Sequence, residues 1–113
     1  YIPWNWHEPV EGRERWTGDC DLARFIELCA RHELYVVVKP GPYICAEWDF
    51  GGYPDWILGK NIPLRVLDER HMRCVDIWYR RVAEVIRLMN DRAALAEARD
   101  ATVTKLAELA AEK

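Results

Sequence analysis

Two glutamates, each in a loop rich in proline and tryptophan, are the residues of this sequence best suited to chemistry. Glu8 lies in WNWHEP (residues 4–9), and Glu47 lies in PGPYICAEW (residues 40–48). Hydrolysis of a glycosidic bond needs two carboxyl groups, one to protonate the leaving oxygen and one to attack the sugar or activate water. The pattern therefore nominates Glu8 and Glu47 as such a pair. The alternative interpretation is that each is a solvated or ion-paired loop carboxylate.

The other chemically versatile side chains indicate neither a metal site nor a cofactor. No two of the three histidines have the spacing of zinc ligands, and the chain contains no serine that could act as a nucleophile. His7 could bind a sugar hydroxyl or support the loop backbone, and backbone support is favoured. His32 and His71 are expected on helix surfaces. The cysteines lack the short spacing of zinc or redox motifs, which favours free thiols: Cys20, Cys29, Cys45 and Cys74.

Composition excludes several classes of function. The net charge of the 113 residues is −3, and no basic patch is present, so we expect no nucleic-acid partner. The longest apolar run, residues 34–38, is far too short to cross a bilayer, so we expect no membrane partner. Half of the residues are hydrophobic, enough for one small core. The sequence begins with Tyr1, and localisation cannot be inferred from it.

These loops must be positioned by a scaffold, and the pattern predicts alternating strands and helices. Residues 1–4 resemble the end of a strand. Asp19 is a candidate N-cap for a helix with one apolar face, formed by Leu22, Phe25, Ile26 and Cys29. Residues 34–38 (LYVVV) predict a strand that is buried on both faces, as in a parallel sheet. A long loop then covers residues 43–66, and ordered loops of this length are usually functional.

The last third of the sequence predicts helix. Asp68 is a plausible N-cap, and an apolar stripe follows at helical spacing: Val75, Tyr79, Val82, Ile86 and Met89. Residues 90–91 could interrupt this helix or cap the next one. The tail is rich in Ala, Glu, Lys and Arg and carries a narrow apolar seam, formed by Leu95, Val103, Leu106 and Leu109. The predicted class is α/β: a fragment of a (β/α)8 TIM barrel with parallel strands and a long C-terminal helix.

Several motifs in order resemble glycoside hydrolase family 35, the β-galactosidases. YIPWNWHEP at residues 1–9 and PGPYICAEW at residues 40–48 are similar to signatures of that family, and GGYPDW, LR and VDIW continue the match. The similarity extends to about residue 86. We therefore assign residues 1–89 to a partial family 35 catalytic domain and residues 90–113 to a helical tail outside the resemblance.

The resemblance implies a retaining β-galactosidase that releases terminal non-reducing β-D-galactose without a cofactor, on a TIM barrel. It implies that Tyr1 contacts the galactose and that Glu47 binds its hydroxyls, with Cys45 and Ala46 alongside. It also implies that Glu8 has a mostly structural role and is not a catalytic residue. A carboxylate that accepts two hydrogen bonds from adjacent hydroxyls is physically well suited to orient a sugar ring.

The sequence departs from the family after the second helix. The proton donor is expected in a Glu-Asn-Glu-Tyr-Gly segment, which does not occur here, and the nucleophile is also unmatched. We therefore expect this chain alone to be inactive, with a non-catalytic sugar-binding remnant or a helical interaction module as alternatives. The expected partners are a β-galactoside sugar or oligosaccharide and either the missing barrel portion or a second copy paired through exposed strand edges.

Overall fold

The computed structural model describes residues 1–112 and contains four α-helices. They are α1 (Trp4–His7), α2 (Leu22–Arg31), α3 (Asp55–Leu58) and α4 (Glu69–Ala111). Two 3₁₀ turns, Gly18–Cys20 and Asp49–Gly52, lie between them. Lys113, the last residue of the predicted tail, lies outside the described residues.

The α/β prediction is wrong, because residues 1–112 contain no β-strand and therefore no fragment of a (β/α)8 barrel. Residues 34–38 form no regular secondary structure, and the side chain of Val37 is 78% exposed. One backbone bond, from Ile2 N to Lys39 O at 3.0 Å, joins the segments that were expected to be neighbouring strands. A parallel strand needs a continuous ladder of such bonds to its neighbours, so β-branched residues alone do not produce one. The predicted strand edges are likewise not formed.

The predicted long C-terminal helix is present as α4, whose 43 residues extend about 65 Å. Its N-cap is Asp68, as predicted, and the Asp68 carboxylate accepts a hydrogen bond from Arg70 N at 2.9 Å. Residues 90–91 do not interrupt the helix, because Arg87 pairs with Asp91 one turn later at 2.8 Å and no Gly or Pro follows. The side chains of residues 91–112 are all exposed.

Helix α2 begins two residues later than predicted. Its N-cap is Asp21, whose Oδ1 accepts a hydrogen bond from Arg24 N at 2.9 Å, whereas Asp19 lies in the preceding 3₁₀ turn. The predicted apolar face is only partly covered. Leu22 packs against the core, but Phe25 is 60% exposed.

The core lies where α1, α3 and the first turns of α4 meet. Trp78 of α4 stacks on Trp4, with ring centroids 5.5 Å apart, and on Trp16, with centroids 5.9 Å apart. The remaining members of this buried cluster are Ile2, Tyr53, Ile57 and Val82. Stacked indoles bury a large apolar area, so this cluster helps to hold the loops in place. Among residues 1–112, no helix combines the length and apolarity required for a membrane span.

Candidate functional site

Asn5 joins the two loops that carry the family motifs. Its amide Nδ2 donates to Asp49 O at 3.0 Å, and its Oδ1 accepts from Trp48 Nε1 at 2.7 Å. Trp6 meets Trp48 edge to face, with ring centroids 5.9 Å apart. The loop after residue 4 and the loop after residue 40 therefore lie side by side, although no sheet positions them.

The four predicted sugar-binding residues lie on the surface at these loops. Tyr1 is 59% exposed, and Lys39 Nζ lies 5.4 Å from the centroid of its ring. Cys45, Ala46 and Glu47 are exposed, and the Glu47 carboxylate has no hydrogen bond or ion pair within residues 1–112. No hydrogen bond or ring contact in that part of the chain links Tyr1 directly to the other three.

The backbone around Glu47 adopts unusual conformations. Glu47 and Phe50 both have φ near 53°, in the left-handed region that side chains other than glycine rarely adopt. Gly51 follows at φ 60°, and a Cβ there would lie 2.2 Å from the ring of Tyr43, so only glycine fits. Strained residues of this kind cluster at functional sites, where the surrounding packing maintains them. The Glu47 loop is thus held in a defined shape.

Glu8 is a buried structural residue, as the resemblance implies, and is not free to act as a catalyst. Its Oε1 accepts from Trp4 Nε1 at 3.0 Å and pairs with the Arg81 guanidinium, while its Oε2 accepts from Gly12 N at 2.8 Å. Its carbonyl oxygen accepts from Trp56 Nε1 at 2.9 Å. Every acceptor of Glu8 is therefore engaged, and the carboxylate fastens the first loop to α4.

His7 supports the loop backbone, which is the interpretation that the sequence favoured. Its Nδ1–H donates to the Arg15 carbonyl oxygen at 2.9 Å, and its ring stacks on Trp16 with centroids 4.3 Å apart. Burial lowers the pKa of His7 below the usual 6.5 and outweighs the opposing hydrogen bond to Arg15, whose positive charge lowers it further. His7 is accordingly a neutral core residue.

The burial of His7 makes the stability of the chain depend on pH. The unfolded chain protonates His7 more readily than the folded chain does. The stability that neutral His7 contributes is therefore complete above about pH 6.5 and is lost as the pH falls towards the lower pKa of the folded state. We expect the urea midpoint to decrease from about pH 8 to about pH 5.5, and His7→Gln to flatten that decrease. The matched control is His32→Gln, at an exposed position. An unchanged pH dependence in His7→Gln would contradict this assignment.

A family model described as "Glycosyl hydrolases family 35" matches residues 1–96. The chain belongs to this family. The matched residues include both motif loops, α1 to α3 and the part of α4 that reaches Ala96.

The family 35 relatives include mammalian β-galactosidases. The chain is 49% identical over 79 residues to the protein named "Beta-galactosidase" of Mus musculus. The aligned residues make up 69% of this chain and 12% of that protein. It is 46% identical over 81 residues to "Beta-galactosidase-1-like protein" of the same species, covering 71% of this chain and 12% of the relative. The chain is also 46% identical over 79 residues to the "Beta-galactosidase" of Homo sapiens, and the alignment covers 69% of this chain and 12% of that protein. The chain thus spans about 12% of the length of these curated relatives.

One expectation about this family 35 chain was wrong: His71 is buried, not on a helix surface. Its Nε2 accepts from the Tyr53 hydroxyl at 2.8 Å, and its Nδ1–H donates to Val66 O at 2.8 Å. Burial is also the main reason that the pKa of Tyr53 is raised. His71 therefore joins the long loop to the first turn of α4.

The contacts that bring Asn5, Trp48 and Asp49 together are not evident from the sequence. Asn5 stands between two tryptophans in a proline-bounded loop, and a loop asparagine often uses its amide to hold backbone. The residues around Asn5 do not indicate that its partner is Asp49, 44 residues away. Within residues 1–112 no group of three or more His, Cys, Asp or Glu side chains could hold a metal ion, and all four cysteines are free thiols.

Proposed function

We propose that this chain is a galactose-binding portion of a β-galactosidase that retains anomeric configuration and releases terminal β-D-galactose. The observation that carries the proposal is the Glu47 loop, which Asn5 holds beside the first motif loop. The loop presents an exposed carboxylate that has no partner within residues 1–112. Membership of family 35 supports the galactoside as the ligand.

Each proposed contact follows from side-chain chemistry. The Glu47 carboxylate accepts hydrogen bonds from two neighbouring hydroxyls and so fixes the orientation of the sugar ring. The exposed Tyr1 offers an aromatic face and a phenolic hydroxyl. Cys45 and Ala46 directly precede Glu47 and lie in the same loop.

In this proposal the chain alone does not hydrolyse galactosides. The retaining mechanism needs two carboxyl groups about 5 Å apart. Glu8 is engaged by Arg81, Trp4 and Gly12, and the sequence contains no Glu-Asn-Glu-Tyr-Gly segment to supply the proton donor. We assign residues 1–89 to the partial catalytic domain and residues 90–113 to a helical tail, of which the family match covers residues up to 96.

A helical interaction module is the second candidate, favoured by the exposed half of α4. Its seam leaves apolar side chains uncovered within residues 91–112, namely Leu95, Val103, Leu106 and Leu109, which are 71%, 59%, 61% and 46% exposed. Solvated apolar residues spaced along one helix suit a helical partner. This role would be independent of the sugar site.

Binding of methyl β-D-galactoside tests the proposal. We expect saturable binding by calorimetric titration and a loss of at least about tenfold in Glu47→Gln, because a charge-assisted hydrogen bond contributes roughly 1.5–3 kcal/mol. Glu97→Gln is the matched control, since Glu97 is an exposed carboxylate on the tail without an ion pair within residues 1–112. Equal binding by Glu47→Gln and wild type would contradict the assignment of Glu47.

The purified chain is also tested for hydrolysis of a galactoside. An aryl β-galactoside should release no aryl alcohol above background with wild-type chain or with Glu47→Gln. Turnover by the wild-type chain that vanishes in Glu47→Gln would show that the chain carries a complete catalytic site and would overturn that part of the proposal.

A further inference from the structure

A groove of about 710 Å³ lies between α2 and α4 and contains none of the residues proposed to bind galactose. Trp16 and residues of α2 form one wall. Leu88 on the other wall is 45% exposed, so the groove presents apolar surface to solvent. The residues of α4 that line this wall are Val85, Leu88, Met89, Arg92, Ala93 and Ala96.

The groove face of α4 continues without a break into the tail. Side chains three and four residues apart lie on one side of an α-helix, and such steps lead from Val85 and Met89 to Val103 and Leu106. Val103 and Leu106 are 59% and 61% exposed, and every side chain of residues 91–112 is exposed. One face of α4 therefore carries the groove at one end and an uncovered apolar strip at the other.

The groove and the strip match in length and in spacing. The groove covers residues 85–96 of α4 and the strip covers residues 99–110, so each is about 18 Å long. Steps of four, three and four residues connect the positions in both, which are Val85, Met89, Arg92 and Ala96 in the groove and Arg99, Val103, Leu106 and Ala110 in the strip. An antiparallel two-fold axis at residues 97–98 lays the strip of one copy in the groove of the other. Met89 then lies level with Leu106 of the second copy, and the symmetry makes this contact twice.

The charges on this face favour the antiparallel orientation. Arg92 has no ion pair within residues 1–112, and the Arg99 guanidinium lies 3.9 Å from the carboxylate of Asp100. In a parallel pair, Arg92 and Arg99 would each face the same arginine of the second copy, and like charges repel. In the antiparallel pair, Arg92 lies within one turn of Asp100 of the second copy. Opposite charges therefore meet on both sides of the axis.

We propose that two copies of this chain pair antiparallel along α4, with the tail of each copy in the groove of the other. The inference rests on the second candidate function, the helical interaction module, and names a second copy as its partner. A helix whose apolar side chains enter a groove is a common mode of recognition between proteins. Here one chain supplies both the groove and the helix, with matching spacing and complementary charge.

Sedimentation equilibrium of the 113-residue chain tests this pairing. At about 100 μM, well above the Kd of a micromolar complex, we expect a mass approaching twice the 13.3 kDa of one copy. Leu106→Glu should weaken dimerisation by at least about 100-fold, because it places a charge at two apolar contacts of every dimer. Ala101→Glu is the matched control, since Ala101 is exposed on the opposite side of the tail, and it should dimerise like wild type.

Exchange of charges tests the orientation. Arg92→Glu should weaken dimerisation by about tenfold, because it places a carboxylate near Asp100 of the second copy. Asp100→Arg should have a similar effect, because it places a guanidinium near Arg92 of the second copy. The double variant Arg92→Glu, Asp100→Arg reverses both charges and should dimerise within about twofold of wild type.

A chain that is monomeric at every concentration would overturn the inference, because the groove would then have another occupant or none. A dimer that Leu106→Glu leaves intact would also overturn it, since a different surface would hold the copies together. Failure of the double variant to recover would overturn the antiparallel arrangement. Titration of Leu106→Glu with methyl β-D-galactoside reports on the sugar site separately, and we expect the same binding as wild type. If neither the variant nor wild type binds this sugar, the galactose proposal fails and the dimer stands.

Discussion

Glu8→Gln is expected to lower the free energy of unfolding by about 3 kcal/mol, because it leaves buried donors without acceptors. All three groups that contact the Glu8 carboxylate are donors: Trp4 Nε1, Gly12 N and the Arg81 guanidinium. Glutamine has a single acceptor oxygen, and its NH₂ group would face one of those donors. Arg81 is about a third exposed and can recover some hydration, so the estimate is at the low end for a broken buried pair.

Urea denaturation followed by tryptophan fluorescence measures this effect. A loss of about 3 kcal/mol corresponds to a decrease of roughly 1–3 M in the midpoint for a small protein. Glu97→Gln, which neutralises an exposed carboxylate, should leave the midpoint within about 0.5 kcal/mol of wild type. If Glu8→Gln is unfolded without urea, its near-ultraviolet circular dichroism will be absent, which supports the same conclusion. Equal midpoints for the two variants would refute the structural role of Glu8.

Trp78→Ala is expected to lower the free energy of unfolding by about 3–5 kcal/mol. Trp78 is fully buried, stacks on Trp4 and Trp16, and donates its indole N–H to Pro40 O at 2.6 Å. Truncation to alanine opens a cavity between two indoles and leaves the Pro40 carbonyl unpaired. Trp78→Phe keeps an aromatic ring but loses the hydrogen bond, and should cost about 1–3 kcal/mol.

Thermal or urea unfolding of both variants, with Ile77→Ala as control, tests the role of Trp78. Ile77 is the preceding residue on α4 and is 46% exposed, so its truncation removes little packing. The expected order of stability is wild type, then Ile77→Ala, then Trp78→Phe, then Trp78→Ala. The proposed role fails if Trp78→Ala is as stable as Ile77→Ala.

Helix α4 could be predicted because its signals are local. The Asp68 cap, the apolar residues at helical spacing and the absence of Gly and Pro after residue 68 are all properties of neighbouring residues. Whether the helix continues through residues 90–91 was left open, since Asn and Asp are also common helix caps. The structure shows continuation, with Arg87 paired to Asp91 one turn later.

The prediction of a strand at residues 34–38 was wrong, because a strand depends on partners elsewhere in the chain. The run of Val, Leu and Tyr favours extended backbone, but residues 34–38 form no regular secondary structure. Only the Ile2–Lys39 bond links it to the other predicted strand, so the ladder that defines a sheet does not develop. Composition indicates what backbone a segment favours but not whether a partner strand is present to pair with it.

For the site, motif resemblance identified the loops but not the contacts between them. Spacing alone nominated Glu8 as a catalyst, and its role became clear only from Arg81, which is 73 residues away. The Asn5 contacts and the burial of His71 likewise join residues distant in sequence. For Glu47, the resemblance and an exposed carboxylate without a partner in the described residues 1–112 support the same proposed role.

The projecting half of α4 gives the molecule the hydrodynamics of a rod. Its principal extents are 71 × 24 × 24 Å, and its radius of gyration is 19.4 Å, against about 13 Å for a compact chain of roughly 100 residues. End-over-end rotation is therefore slower than spinning about the long axis. The N–H bonds of α4, which lie along that axis, report the slow rotation, whereas bonds at other angles in the loops also sample the fast one.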